Sequence, residues 1–316
     1  MGLYQRPVLI TGGAGFIGSH LVRRLLNEGH SVAVLVKETT QRRRIENLSE
    51  RLTFIRDDLS DLDRLKVSFR ELNPQGIFHC AASGIKSGVA ASEDELVKTN
   101  VTGTMHLARA LEEIDYKFLV NCGSYLEYGR KERPFQETDR CDPVEAYAIT
   151  KLAATLHLQA VAERTGKPVI TFRIFSPYGP EMEEGRLVYE VVRRALQNEE
   201  IVLTRPETAR DFIFVDDIVD LCLEAIAKAP VLKGEIFNVG RGRAVTLKEL
   251  VNLVLEMTSS KSVVRWGQAK DVTYDRGCQE ADMGKTLSVF SWRPTRGLEA
   301  GIGKMIEWIK GTFRAN

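Results

Sequence analysis

The chain has 316 residues, 43% of them hydrophobic and 28% charged, with a formal net charge of +1. That is room for one large domain or two smaller ones sharing a cleft, with the composition of an ordinary soluble globular protein. So even a charge balance excludes the broadly basic surface that general nucleic-acid binding requires. Five cysteines without a CxxC pair exclude a disulfide framework and a zinc site. The absence of any eighteen-residue apolar run leaves no membrane-spanning segment. Free cysteines and an amino terminus lacking a signal-peptide pattern lead us to expect a soluble, unprocessed, cytoplasmic protein.

From Pro7 onward, short apolar runs alternate with amphipathic stretches: PVLITG, FIGSHLVRRLLNEG, SVAVLV, LTFIRDDL, GIFHCAA, KFLVNCGS and VITFRIF. Runs rich in Val, Ile and Phe, each separated by a helix-length segment, indicate βαβ units and a parallel sheet covered on both faces. The fold class expected is therefore α/β, a doubly wound (Rossmann) sheet. After Phe175 the pattern loosens: SPYGPEMEEGR reads as loop and LVYEVVRRALQN as helix, whereas DFIFVDDIVDLCLEAIAKA and GEIFNVG read as a return to the sheet. This organisation assigns residues 1–175 and 208–240 to a dinucleotide-binding domain. Residues 176–207 and 241–316 form a smaller, interleaved substrate lobe.

TGGAGFIGSH closes the first strand and opens the first helix, with Gly12, Gly15 and Gly18 spaced G-x-x-G-x-x-G. Glycines at that spacing permit a tight turn, close approach of the backbone to a pyrophosphate and close helix–strand packing. The helix amino terminus then favours an anion. The cofactor-binding loop is accordingly Gly12, Gly15, Phe16, Ile17 and Gly18. At the end of the second strand an acid would bind the ribose 2′-hydroxyl of NAD, whereas basic residues accommodate the 2′-phosphate of NADP. Val36 occupies that position and is followed by Lys37, Arg42, Arg43 and Arg44. The expectation is NADP(H), with Lys37 and Arg42 at the phosphate, and NAD(H) as the alternative. The competing explanation for the arginines is a solvated helix start in which Arg42 pairs with Glu46.

VEAYAITKLAAT places Tyr147 and Lys151 one helical turn apart, on one face. A phenol is a poor acid–base group until a nearby cation stabilises its phenolate, and the ammonium of Lys151 is placed to do so. TGGAGFIG, FHCAA, NVTGT, CGSYLEYG, YAITK, RIFSPYGP, RDFIFVDDI and FNVG follow one another along nearly the whole chain. In that order they resemble the extended short-chain dehydrogenase/reductases that act on nucleotide-diphosphate sugars. The resemblance implies a catalytic Ser124, Tyr147 and Lys151: Ser124 on the reacting sugar oxygen, Tyr147 exchanging the proton, Lys151 also holding the nicotinamide ribose. It further implies Asp58 and Leu59 against adenine, Ala81 and Ala82 at the strand end beside the cofactor, and Asn100 supporting the lysine. Tyr125, Ser176, Arg210 and Arg276 fall to the substrate, the two arginines gripping its pyrophosphate. The helices around 93–113 and 147–165 match those through which relatives form homodimers.

The family's 4,6-dehydratases carry an Asp–Glu pair directly after the catalytic Ser/Thr, where this chain has Tyr125 and Leu126, which disfavours dehydration. Glu127, one step further on, is left between a substrate contact and a structural role. With Val36 where NAD would meet an acid and Lys37 directly after it, the reading drawn from the sequence is NADPH-dependent reduction of a nucleotide-diphospho-4-keto-6-deoxyhexose. The alternative is a C4 or C2 epimerase with tightly bound NAD; a non-catalytic dinucleotide sensor ranks below both. None of the five histidines has metal-ligand spacing, so packing or solvent exposure accounts for them. Trp292 and Pro294 are expected to pack the small lobe.

Overall fold

The computed structural model describes residues 6–86, 89–269 and 278–315. Strand and helix alternate from the start: β1 (Val8–Thr11), α1 (Phe16–Asn27), β2 (Val32–Val36), β3 (Leu52–Arg56), α2 (Leu62–Leu72) and β4 (Gly76–His79). An antiparallel pair, β5 (Ile85–Lys86) and β6 (Val89–Ala90), precedes α3 (Glu93–Leu96), a π-helical turn (Val97–Thr102) and α4 (Gly103–Ala110). Then come β7 (Phe118–Ser124), α5 (Ala146–Thr165), β8 (Val169–Ile174), β9 (Ser176–Tyr178), α6 (Leu187–Gln197), β10 (Ile201–Val202) and β11 (Ala209–Arg210). The chain ends with β12 (Phe212–Phe214), α7 (Val215–Lys228), β13 (Glu235–Val239), β14 (Val245–Thr246), α8 (Leu247–Thr258), β15 (Val264–Arg265), α9 (Gly284–Val289) and α10 (Leu298–Ala315).

Seven strands form one parallel sheet in the order β13-β8-β7-β4-β1-β2-β3. Alternation along β1 explains why both faces are covered. Val8 and Ile10 point to one side, where they join Leu21, Val22 and Leu25 of α1 and Ile218 and Leu221 of α7. Leu9 points to the other, against Leu65 and Phe69 of α2, Leu107 of α4 and Leu158 of α5. A third cluster joins α6, α8 and α10 through Val192, Val254, Ile302 and Met305, with Phe212 and Phe214 of β12. Because β1 lies between β4 and β2, the winding reverses there. The carboxyl ends of β1 and β4 thus open the crevice in which such sheets bind ligands.

One expectation needs correction. DFIF does not rejoin the central sheet: β12 pairs in parallel with β9, where Phe212 faces Ser176 and Phe214 faces Tyr178, in a separate two-stranded sheet. The strand directly after β8 has already left the sheet, and β12 follows it, while GEIFNVG does return, as β13 beside β8.

Trp292 is buried, and its indole N–H donates to Asp217 O at 2.8 Å. The fully buried Asp217 carboxylate accepts from Thr295 N–H, the Thr295 hydroxyl, Arg296 N–H and the Arg296 guanidinium, the last at 2.7 Å. It thereby fastens the segment before α10 to α7. Removing a buried carboxylate orphans its donors. Asp217→Ala is therefore expected to lower unfolding free energy by about 3 kcal/mol, seen in urea titration as a lower midpoint at unchanged slope. Asp217→Asn should lose less.

Candidate active site

The glycine loop is shaped for a backbone-hugging ligand. Gly12 has φ +69°, a left-handed conformation, and a Cβ there would stand 2.6 Å from Cys80 C and Ala81 N. A Cβ on Gly18 would lie 2.2 Å from Gly12 O, so the first turn of α1 can approach the loop only as glycine. Gly15 caps α1 without a side-chain hydrogen bond, so the first-turn N–H groups have no side-chain acceptor at the cap. Such a cradle, a helix amino terminus behind glycines at the sheet's switch point, fits a dinucleotide pyrophosphate.

Lys151 and Tyr147 lie on α5, which packs beside β7. The Lys151 ammonium is buried and donates to Cys122 O at 2.6 Å, on the strand that ends in Ser124. Tyr147 is half-buried, and a Cβ on Gly84 would meet its Cε2 at 3.2 Å, so the backbone of Gly84 lies close against the ring edge. The Ser124 hydroxyl accepts Leu126 N–H at 3.2 Å, which directs its own hydrogen elsewhere, as a donor. Lys151 is thus held to β7 two residues before Ser124, with Tyr147 one helical turn earlier on α5.

A chain of hydrogen bonds supports them from beneath. The Asn100 amide accepts Ser83 N–H at 2.7 Å and donates to Ser83 O at 3.1 Å and to Thr150 Oγ1 at 3.0 Å, while the Thr150 hydroxyl donates to Tyr147 O. Asn100 sits in the π-helical turn, an irregularity that often marks function. The Thr104 hydroxyl donates to Asn100 O, so its oxygen accepts from His79 Nε2–H at 2.9 Å. The other ring nitrogen, Nδ1, is left to accept from Thr11 Oγ1 at 2.7 Å. Burial, then the nearby Lys151 ammonium, depress the His79 pKa to about 3. His79 is thus a neutral link from the strand before Gly12 to the helix of Tyr147. The sequence leaves it between packing and solvent exposure, because the two threonines that complete its hydrogen bonds are distant in the chain.

Glu127 is held by groups of the chain itself. It is fully buried, accepts Ser124 N–H at 2.8 Å and pairs with the equally buried Arg173 at 2.9 Å. Breaking such a pair costs about 3–5 kcal/mol. Tyr125, expected at the substrate, is a correction: its ring is buried and stacked 5.0 Å from Phe175, with its hydroxyl donating to Gln279. An aromatic side chain beside Phe135 and Phe175 is more stable in that core than in a wet cleft.

Two arginines of the run make contacts within the chain. Arg42 lies over the Phe54 ring at 5.2 Å and pairs with Glu46 at 3.8 Å, the solvated-helix alternative with an added cation–π contact. Arg44 donates to Glu181 O at 2.8 Å and pairs with Glu183 at 3.2 Å. Lys37 stays exposed at the end of β2. Burial would raise the Asp58 carboxyl. Hydrogen bonds from Ser60 and the ammoniums of Lys37 and Lys98 instead hold it below the usual range. Leu59 is buried, with its carbonyl on His106 Nδ1, while Ala81 and Ala82 follow β4 at the crevice. Phe16 and Ile17 form the first turn of α1 and pack toward the third core cluster. Ser176 begins β9 and Arg210 ends β11, both half-buried; Arg276 lies outside the described residues.

A family model described as the NAD dependent epimerase/dehydratase family matches residues 8–240. The chain belongs to that family. Among its relatives, the UDP-glucuronate 4-epimerase of Thermodesulfobacterium geofontis is 27% identical over 98% of this chain and 97% of its own. A solved UDP-glucose 4-epimerase of Thermotoga maritima, bound to UDP-glucose, is 27% identical with a TM-score of 0.87, covering 97% of this chain and 99% of that one. MoeE5, solved with UDP-glucuronic acid and NAD, is 29% identical with a TM-score of 0.83 over the same shares. Family membership and the Rossmann sheet agree with the resemblance carried by the eight sequence motifs. No described helix is long and apolar enough to cross a membrane.

The neutral His79 has a pH signature. The folded ring stays unprotonated down to about 3, while the unfolded chain takes up a proton near 6.5. Between those values the unfolded state binds the extra proton, so stability is present above about 6.5 and falls as pH drops. His79 is expected to contribute a slope of up to about 1.4 kcal/mol per pH unit in that window. Urea unfolding of His79→Gln between pH 4 and 6.5 should show that much less dependence.

Proposed function

We propose that this protein is a nucleotide-diphosphate-sugar 4-epimerase that keeps NAD bound through turnover. The observation that carries the reading is the grouping of Ser124, Tyr147 and Lys151 beside the glycine cradle, with Tyr125 and Leu126 where dehydration would require an acid and a base. Tyr125 packs in the core, and Leu126 is packed against it. The UDP-glucuronate and UDP-glucose 4-epimerases among the relatives support the same reaction and point to UDP-linked hexoses and hexuronates as the first substrates to assay.

The bound dinucleotide supplies hydride acceptance and return. Residues of this chain supply the rest. The Ser124 hydroxyl, with its oxygen occupied by Leu126 N–H, donates to the sugar oxygen at C4. Tyr147 takes that oxygen's proton as the carbon is oxidised and returns it on reduction. Lys151 spends one hydrogen on Cys122 O and offers the others to the tyrosine oxygen and the nicotinamide ribose. Epimerisation then needs only that the keto sugar turn its other face before reduction.

The second reading, NADPH-dependent reduction of a 4-keto sugar, rests on Val36 and Lys37, which leave no acid for the NAD ribose and put a cation directly after that position. It is weakened by the occupation of Arg42 and Arg44 with Phe54, Glu181 and Glu183. The test is the cofactor that copurifies, followed by assay of UDP-, dTDP-, GDP- and CDP-sugars with and without added NADPH. We expect NAD in the purified protein and interconversion of two hydroxyl sugars without added cofactor. Tyr147→Phe should cut kcat by about 10²–10⁴-fold with NAD still bound. Stoichiometric consumption of NADPH on a 4-keto sugar by protein lacking NAD would establish the reductase instead.

A further inference from the structure

We propose that Glu127 is a positioning residue for Ser124, acting through the Ser124 backbone N–H; this rests on the catalytic role given to Ser124 above. The geometry is specific. One oxygen of the fully buried Glu127 carboxylate accepts Ser124 N–H at 2.8 Å, and the other accepts Arg173 Nε at 2.9 Å. The Arg173 guanidinium is itself fixed, 4.3 Å over the Tyr128 ring and 3.1 Å from Cys141 Sγ. The carboxylate therefore has no other place to go. With Leu126 N–H on the hydroxyl and Glu127 on the amide, Ser124 is held at both of its polar ends in a reciprocal cap of the 3-10 turn Tyr125–Tyr128.

The neighbouring backbone is built around this contact. A Cβ on Gly123 would fall 2.8 Å from Glu127 Oε1 and 2.9 Å from Thr171 Cγ2, so the strand end accepts the buried carboxylate only with glycine there. Lys151 holds Cys122 from the helix side. The segment Cys122–Ser124 is consequently clamped by a cation on one side and an anion on the other. A carboxylate held entirely out of water directly behind a reacting hydroxyl fixes where that hydroxyl points, and misplacement of a reacting group is costly in rate.

The experiment separates the amide contact from the ion pair. Glu127→Gln with Arg173→Met removes both charges and keeps an oxygen for Ser124 N–H, whereas Glu127→Val with Arg173→Met removes that acceptor too. The first pair is expected to rescue most of kcat. The second is expected to lose about tenfold more at unchanged KM, the value of one hydrogen bond. In a Ser124→Ala background the difference between the two pairs should vanish, because Glu127 acts through Ser124. An equal tenfold difference in that background, or none in either, overturns the proposal. Amide hydrogen exchange at Ser124, read independently of turnover, should be protected in the Glu127→Gln pair and fast in the Glu127→Val pair. Equal protection overturns the positioning role, whereas the expected exchange pattern without turnover of any nucleotide sugar would count against the functional reading alone.

Discussion

One bond sets the geometry of the site: the Lys151 ammonium donates to Cys122 O at 2.6 Å, in a place closed to water. A buried ammonium without partners would be strongly unfavourable, so the contact is obligatory and fixes α5 against the end of β7. Tyr147 is one helical turn before the lysine and Ser124 two residues beyond the cysteine. Fixing that single pair of atoms therefore fixes where the phenol and the hydroxyl stand relative to each other.

Everything around the bond limits its freedom. Asn100 and Thr150 tie the helix of Tyr147 to the backbone of Ser83, and the neutral His79 carries the connection to Thr11, next to the glycine that opens the cradle. Neutrality of His79 follows from the same ammonium as well as from burial, since a second cation beside Lys151 would repel it. From the other side, the Glu127–Arg173 pair holds the amide of Ser124. The site is thus tied down at its base, while Lys37 is exposed and Tyr147 half-buried.

The parts of this arrangement legible in the sequence are those with short-range signatures. Gly12, Gly15 and Gly18 follow a strand and open a helix, and Tyr147 and Lys151 are i and i+4, so local spacing alone places each set. What spacing could not show is where long side chains find partners. Arg44 is drawn to Glu181 and Glu183, more than 130 residues away, and Arg42 to Phe54 on the neighbouring strand, contacts within the chain that spacing in the run does not announce. Tyr125 follows Ser124 directly, yet stacking with Phe175 and Phe135 draws it inward. DFIF has the composition of a sheet strand, but its partner, Ser176–Tyr178, had already left the sheet. His79 illustrates the converse: the sequence leaves it between packing and solvent exposure, and its role emerges only when Thr11 and Thr104 converge on it from separate elements.

The central claim is that the clamped tyrosine and serine serve a reversible oxidation at one sugar carbon, with the hydride never leaving the site. A nucleotide sugar deuterated at C4 tests this most directly. The account predicts that the epimerised product keeps its deuterium at C4, with none released to water and none passed to added cofactor. Loss of the label from C4, or its appearance in NADP(H) drawn from solution, would contradict it.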